Sequence, residues 1–185
     1  MRVVFDTGSD WLVIEGVNCT NCKNNTYDFT DELLKEDGSF NWLDRRGDRR
    51  YGSAYLTGRE ATDTVCLTEI ETTCASDFQM FIIDYQEGFD SNIDGILGFS
   101  SGGRGNFGGS GPLYIDALKE QGLISERVFA FFLSNELDED VAPSYMDIGY
   151  FDPSSMSRAD DLVWLDVLPD DFWWSNYVEG IMFTN

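Results

Sequence analysis

The chain has 185 residues, 42% hydrophobic and 15% aromatic, so it can bury a substantial core and is not a disordered acidic tail. Its formal net charge of −22, from 34 acidic and 12 basic residues, disfavours nucleic acid and anionic membranes as partners because both would repel it. The absence of histidine excludes Ser-His-Asp and Cys-His nucleophile pairs and the common histidine-containing metal sites. Acid–base chemistry therefore falls to carboxylates, tyrosine or lysine.

The sequence FDTGS at residues 5–9 lies between two apolar runs, and each run is predicted to form a buried strand. A carboxylate at the end of an apolar strand is costly unless hydrogen-bond donors surround it. Gly8 permits a tight turn in which backbone amides and the hydroxyls of Thr7 and Ser9 converge on Asp6. As a tetrapeptide, the sequence is equally compatible with a polar turn and with a catalytic site. The flanking apolar runs are Val3–Phe5 and Trp11–Ile14.

Four cysteines allow three pairings, of which the local one joins Cys19 to Cys22 and Cys66 to Cys74. A zinc site would need a second closely spaced pair, and the seven residues between Cys66 and Cys74 are a poor match. A thioredoxin-like redox motif would need a βαβ context, which the pattern lacks. The spacing therefore favours two disulfides over a metal or redox site.

The sequons at Asn18 and Asn24 are glycosylation candidates and, with the predicted disulfides, favour an extracytoplasmic location. The acidic composition suits a secreted or vacuole-like acidic compartment, where protonation relieves the self-repulsion. No targeting segment precedes Arg2 and no apolar run is long enough to span a bilayer. We therefore expect that the native start is missing.

The rest of the chain predicts β structure with one or two short helices. Residues 44–50 hold a third of the 12 basic side chains and are predicted to form a solvated turn. Residues 51–58 carry glycines around an aromatic–aliphatic core, which is typical of a mobile hairpin. The other predicted elements are strands at 62–67, 78–83, 128–133, 145–150 and 162–168, a helix at 112–121, a glycine-rich loop at 101–111, and an aromatic tail from Phe172.

In this order, the pieces resemble the N-terminal lobe of pepsin-like aspartic proteases from about residue 3 to residue 183. Residues 5–9 match the family's first active-site motif, and residues 51–58 resemble its flap. The sequence DGILG at 94–98 matches the hydrophobic–hydrophobic–glycine segment that packs beneath the active-site loop. The resemblance implies a mainly β, antiparallel lobe with one or two short helices. It also implies that residues 1–185 form one domain, incomplete at both ends and without the C-terminal lobe.

Carried over by position, the resemblance makes Asp6 one of two catalytic aspartates. Thr7 would brace the active-site loop, Gly8 would let the substrate backbone approach, and Ser9 would hydrogen-bond the carboxylate. The segment from Cys19 to Cys22 resembles the small disulfide loop that follows this motif in the family.

In residues 51–58, which resemble the family's flap, Tyr51 would close over the bound peptide, with Gly52 beside it and Ser53 contacting the substrate backbone. Aligned without gaps, Val13 occupies the position where members of the family often carry a tryptophan that bonds the flap tyrosine. Trp11 lies two residues earlier.

The implied chemistry is cleavage of a peptide bond by water activated between two aspartates that share one proton, without a cofactor or metal. No second Asp-Thr-Gly or Asp-Ser-Gly follows Ser9 in the sequence. Three hypotheses follow: an aspartic endopeptidase whose second aspartate lies in a missing C-terminal lobe, a homodimer with Asp6 from each copy, or a non-catalytic peptide-binding or inhibitory lobe. In each, the ligand is a peptide or protein.

Overall fold

The computed structural model describes residues 1–22, 25–31, 38–52, 54–70, 73–89, 92–102, 111–134, 143–156, 158, 160, 162–169 and 172–182. The described chain is mainly β, as predicted, and among its residues no helix is both long and apolar enough to cross a membrane. Ser53 and Asn24 lie outside the described residues. The elements are β1 (Val3–Asp6), β2 (Leu12–Glu15), β3 (Asn41–Tyr51), β4 (Ala54–Cys66), β5 (Cys74–Glu87), β6 (Gly95–Gly98), α1 (Tyr114–Glu120), β7 (Phe129–Phe132), β8 (Tyr145–Ile148) and a 3₁₀ turn (Pro153–Ser155).

Six strands form one sheet in the order β1-β6-β2-β5-β4-β3, and β7 and β8 form a separate antiparallel pair. Within the sheet, β1 runs parallel to β6 and β2 runs parallel to β5, while the other neighbours are antiparallel. All four residues of β2 are buried, and its three apolar side chains enter two different hydrophobic cores on alternate faces. Leu12 and Ile14 belong to the core that includes α1, and Val13 belongs to the core next to β3 and β4.

The prediction that the first strand is buried is wrong. Strand β1 forms, but Val4 is 43% exposed and Phe5 is 37% exposed. The reason is position, because β1 is the edge strand of the six-stranded sheet as described and pairs with β6 alone. An apolar run predicts a strand, but burial also requires a neighbour on each side.

The predicted solvated turn at residues 44–50 is also wrong, because these residues lie within β3. From Arg46 to Tyr51, β3 pairs residue by residue with β4, so backbone pairing outweighs the charged composition. Arginine is compatible with this strand because its stem and guanidinium lie on aromatic rings, as Arg50 does over the Tyr55 ring at 5.0 Å.

The helix predicted at residues 112–121 is confirmed with shorter ends, and Leu118 on its buried face is fully enclosed. The strand predicted at residues 162–168 is wrong: this stretch has no strand pairing, and Val163 and Trp164 are 72% and 70% exposed. Its nearly continuous apolar run pairs with no neighbouring strand among the described residues. Both predicted disulfides, Cys19–Cys22 and Cys66–Cys74, are present.

A buried carboxylate connects three segments at one end of the sheet. Asp94 is fully buried, and its carboxylate accepts hydrogen bonds from the backbone N–H of Arg2 at 2.5 Å and of Asn25 at 3.2 Å. Burial raises the pKa of Asp94, but these hydrogen bonds outweigh burial and hold the pKa below its ordinary value of 3.8. The ionised carboxylate is therefore part of the folded structure.

We expect Asp94 to make stability depend on pH. A folded-state pKa below the unfolded value stabilises the protein above the unfolded pKa, and this stabilisation is lost as the pH falls through the folded value. Asp94→Asn should lower the free energy of unfolding by about 1–3 kcal/mol at about pH 6, because it disrupts buried hydrogen bonds. It should also flatten the loss of stability between about pH 5 and pH 2. Urea denaturation at several pH values measures both effects, with the exposed Asp160→Asn as control; parallel pH curves for the Asp94 variant and wild type would contradict the assignment.

Candidate active site

Asp6 is the last residue of β1, and its carboxylate is half-buried at the turn that leads to β2. The backbone N–H of Gly8 donates to Asp6 Oδ1 at 2.9 Å. A Cβ at Gly8 would lie 3.2 Å from that oxygen, so a larger residue would crowd the carboxylate. The turn therefore presents one carboxylate with a backbone donor fixed beside it.

Strand β6 lies directly against this turn. The Asp6 carbonyl accepts a hydrogen bond from the Phe99 N–H at 2.8 Å, and the Ser9 carbonyl accepts one from the Ser100 N–H at 2.9 Å. A Cβ at Gly98 would lie 2.4 Å from the Ser9 carbonyl oxygen, which only glycine avoids. Residues 98–100 therefore lie close to the turn and support the backbone that carries Asp6.

The β3–β4 hairpin stands across a cavity from Asp6. The cavity encloses about 650 Å³, and its wall includes Asp6, Gly8 and Ser9 on one side and Tyr51 and Gly52 on the other. Gly52 has φ of +55°, the left-handed region that glycine adopts at low cost, so it turns the chain at the end of β3. The structure thus places the predicted loop and the predicted hairpin around one cavity of a size that suits a ligand.

Tyr51 is half-buried and packs against the core that contains Trp11 and Val13. Burial, followed by the negative charge of Asp10, raises the pKa of the Tyr51 hydroxyl well above its usual value of 10. Asp6 adds to this rise, while Arg49 opposes it. The Tyr51 phenol therefore stays protonated and can donate a hydrogen bond into the cavity at neutral and acid pH.

Ser9 donates its backbone N–H to the Asp6 carbonyl at 3.4 Å, but its hydroxyl does not hydrogen-bond the Asp6 carboxylate, in contrast to the expectation. Its hydroxyl is buried and has no hydrogen-bond partner in the described part of the chain, and the same holds for the hydroxyl of Ser100. The donor to the Asp6 carboxylate is the Gly8 N–H instead. Thr7 is exposed beside this turn. Its bracing role stays a prediction.

Sequence reasoning missed part of the cavity wall. Asp10 is 7% exposed, and its Oδ2 accepts a hydrogen bond from the Gly111 N–H at 2.6 Å, which joins the end of the glycine-rich loop to the site. Phe172 and Trp173 of the aromatic tail also line the cavity. The carbonyl of Phe172 accepts a hydrogen bond from the Ser101 N–H at 3.2 Å, which returns the tail to the site. Of these cavity-wall residues, only Asp10 had a signal in the sequence, namely its position directly after the motif at residues 5–9.

The Cys19–Cys22 disulfide packs against the same core as Tyr51. The neighbouring Asn18 is exposed, so its side chain is accessible to modification. Within the ranges that the structure describes, no group of three or more cysteine, aspartate or glutamate residues is arranged to hold a metal ion.

A family profile described as eukaryotic aspartyl protease matches residues 1–185. The chain belongs to the eukaryotic aspartyl protease family. Pregnancy-associated glycoprotein 1 of Ovis aries is 32% identical over 139 residues, which are 75% of this chain and 35% of that protein. Pepsin F of Oryctolagus cuniculus is 34% identical over 179 residues, 93% of this chain and 42% of the pepsin. Procardosin-A of Cynara cardunculus is 31% identical over 144 residues, 75% of this chain and 26% of that protein. This aspartyl protease chain spans less than half the length of these relatives.

Proposed function

We propose that the chain is part of an aspartic endopeptidase and that Asp6 is one of its two catalytic aspartates. The observation that carries the proposal is the cavity of about 650 Å³ with Asp6 on one wall and Tyr51 and Gly52 on the other. An extended peptide lying in this cavity would pass between a carboxylate and a phenol that stays protonated. Family membership supports hydrolysis of a peptide bond as the reaction.

In the proposed reaction, Asp6 and a second aspartate share one proton, since two close carboxylates do not both ionise. The ionised carboxylate takes a proton from a water as that water attacks the amide carbonyl carbon, and the protonated carboxyl donates to the carbonyl oxygen. The tetrahedral intermediate then breaks its C–N bond as the nitrogen takes the proton that the first carboxylate received from the water, and a hydroxyl of the intermediate returns its proton to the other carboxylate. The Gly8 N–H, 2.9 Å from Asp6 Oδ1, fixes the orientation of the Asp6 carboxylate through its hydrogen bond.

We propose that the second aspartate comes from outside the described cavity wall, which holds two other aspartates, Asp10 and the exposed Asp48. Asp10 lines the cavity, but the Gly111 N–H holds its Oδ2 at 2.6 Å, so we assign Asp10 to fixing the loop. We propose that a C-terminal lobe supplies the partner, because relatives such as pepsin F are more than twice as long as the matched part. The exposed apolar residues of the aromatic tail support a partner surface there, since Tyr177, Ile181 and Met182 are 77–87% exposed.

Two alternatives remain distinct from this proposal. A second copy of the chain could supply its own Asp6 across a two-fold axis, which requires a dimer in solution. A peptide-binding or inhibitory lobe would keep the cavity and bind peptides without cleaving them. We place the protein in an extracytoplasmic acidic compartment, on the two disulfides and the net charge of −22.

Casein digestion at acid pH, with and without a statine-type inhibitor, tests the proposed function. When a C-terminal lobe of the family is joined to the chain, we expect cleavage that the inhibitor abolishes. Cleavage only in a dimeric fraction would favour the second copy as partner. Inhibitor binding without cleavage, in protein to which a C-terminal lobe of the family has been joined, would favour the non-catalytic lobe and contradict the endopeptidase.

The Tyr51 hydroxyl provides a more specific prediction. Tyr51→Phe keeps the ring that packs on the core containing Trp11 but removes the hydroxyl donor of a residue that lines the cavity. We expect KM for a peptide substrate to rise about 5- to 30-fold, since a hydrogen bond is worth about 1–2 kcal/mol in this setting, with little change in thermal stability. Tyr85→Phe is the matched control, because Tyr85 is exposed and lies outside the cavity wall. Equal KM values for wild type and the Tyr51 variant would remove this hydroxyl from substrate binding.

A further inference from the structure

Arg49, like Arg50, is an arginine of β3 that lines the cavity. It lies two residues before Tyr51 on the same strand, so the two side chains project from the same face of the hairpin. Both line the cavity. The Arg49 side chain is 25% exposed, whereas that of Arg46 on the same strand is 63% exposed and lies outside the cavity wall.

The Arg49 guanidinium contacts residues from three separate elements. Its Cζ lies 4.5 Å from the ring centroid of Trp11, in the segment between Asp6 and β2, and 4.7 Å from the ring of Phe81 on β5. Its Nη2 donates to Glu60 Oε1 on β4 at 3.1 Å. Guanidinium groups favour such sites because the planar cation stacks on aromatic faces while its edge donates hydrogen bonds.

Trp11 is the contact that connects the hairpin to the catalytic loop. It is buried, 6% exposed, and its ring also packs edge-on against Phe81 with centroids 6.5 Å apart. The tryptophan is therefore held by the sheet, and the stacked guanidinium is held by the tryptophan. Val13, where relatives often carry the tryptophan that bonds the flap tyrosine, is fully buried in the core below.

We propose that Arg49 is a positioning residue: by stacking on Trp11 it links the β3–β4 hairpin to the loop that carries Asp6 and so sets the position of Tyr51 over the cavity. The catalytic consequence rests on the proposed function, whereas the structural link does not. The Glu60 ion pair supports the stack from the other side, since Glu60 also accepts a hydrogen bond from Gln79 at 2.7 Å and is thereby fixed on the sheet.

Hydrogen–deuterium exchange of amides in residues 47–57 tests the link without requiring activity. Arg49→Met should speed their exchange about fivefold or more, the factor that corresponds to losing a partly desolvated cation–π contact. Arg49→Lys keeps the charge near Glu60 but not the planar stack, so its exchange rate should fall between wild type and the methionine variant. Arg46→Met is the control, because it removes a strand arginine that pairs with Asp84 away from the cavity.

Unchanged exchange in Arg49→Met, or an equal increase in Arg46→Met, would overturn the proposal. If the methionine variant does not fold, the lysine variant decides: a rate equal to wild type excludes the stack as the link. In protein that cleaves peptides, Arg49→Met should raise KM more than it lowers kcat, because a displaced hairpin weakens substrate contacts first. If Arg49→Met speeds amide exchange but the protein never cleaves peptides, this inference stands and only the proposed function is contradicted.

Discussion

Asp6→Asn is expected to abolish peptide hydrolysis while leaving the fold intact. The amide keeps an oxygen that can accept the Gly8 N–H, now 2.9 Å from Oδ1, and it adds no volume to the turn. It can neither take a proton from the attacking water nor share one with a second aspartate. We expect kcat to fall at least about 10²- to 10⁴-fold, the range of general acid–base catalysis, in protein that shows inhibitor-sensitive casein cleavage at acid pH.

The matched control is Asp44→Asn, which makes the same chemical change at an exposed position of β3 outside the cavity wall. Circular dichroism and the thermal midpoint should match wild type for both variants. Residual cleavage above a few per cent in Asp6→Asn, with the statine-type inhibitor still effective, would show that another group performs the chemistry. Loss of activity in both variants would point to a general effect of charge.

Gly98→Ala should damage stability and activity together. A Cβ at Gly98 would lie 2.4 Å from the Ser9 carbonyl oxygen and 2.5 Å from the backbone C and N of Asp10, and backbone atoms cannot rotate away as a side chain would. Strand β6 is also confined between β1 and β2, so it cannot shift outward. We expect a loss of about 1–3 kcal/mol or more in the free energy of unfolding.

The same clash acts on the loop that carries Asp6. A displacement of about 1 Å at a reacting group can cost about 10²-fold in rate, so kcat should fall further than the stability loss explains. Urea denaturation and casein cleavage measure the two effects, and Gly180→Ala is the control because a Cβ there meets nothing within 4 Å. Wild-type values for both measurements in Gly98→Ala would mean that β6 does not support the loop as the structure indicates.

Local features of the chain were predictable because short-range chemistry decides them. The turn at Gly8, the helix that ends at Glu120 and the pairing of Cys66 with Cys74 involve residues that are close in sequence. The same holds for the family motifs, whose order along the chain carried the resemblance. The wrong predictions concern features that depend on neighbouring strands. The exposure of β1 depends on its place at the sheet edge. Residues 44–50 form a strand because β4 pairs with β3.

By itself, the sequence determined the mainly β class, favoured two local disulfides and gave the prediction that Asp6 stands at a catalytic turn. Only the tertiary structure decided what surrounds that aspartate. It brought Gly98 beneath the loop, Gly111 onto Asp10, Phe172 back to the cavity and Arg49 onto Trp11. In these contacts, the sequence separation of the two residues ranges from 38 positions to more than 100. Such contacts form only when strands and loops pack around a common core. Local propensity contains no information on which distant partner will be there.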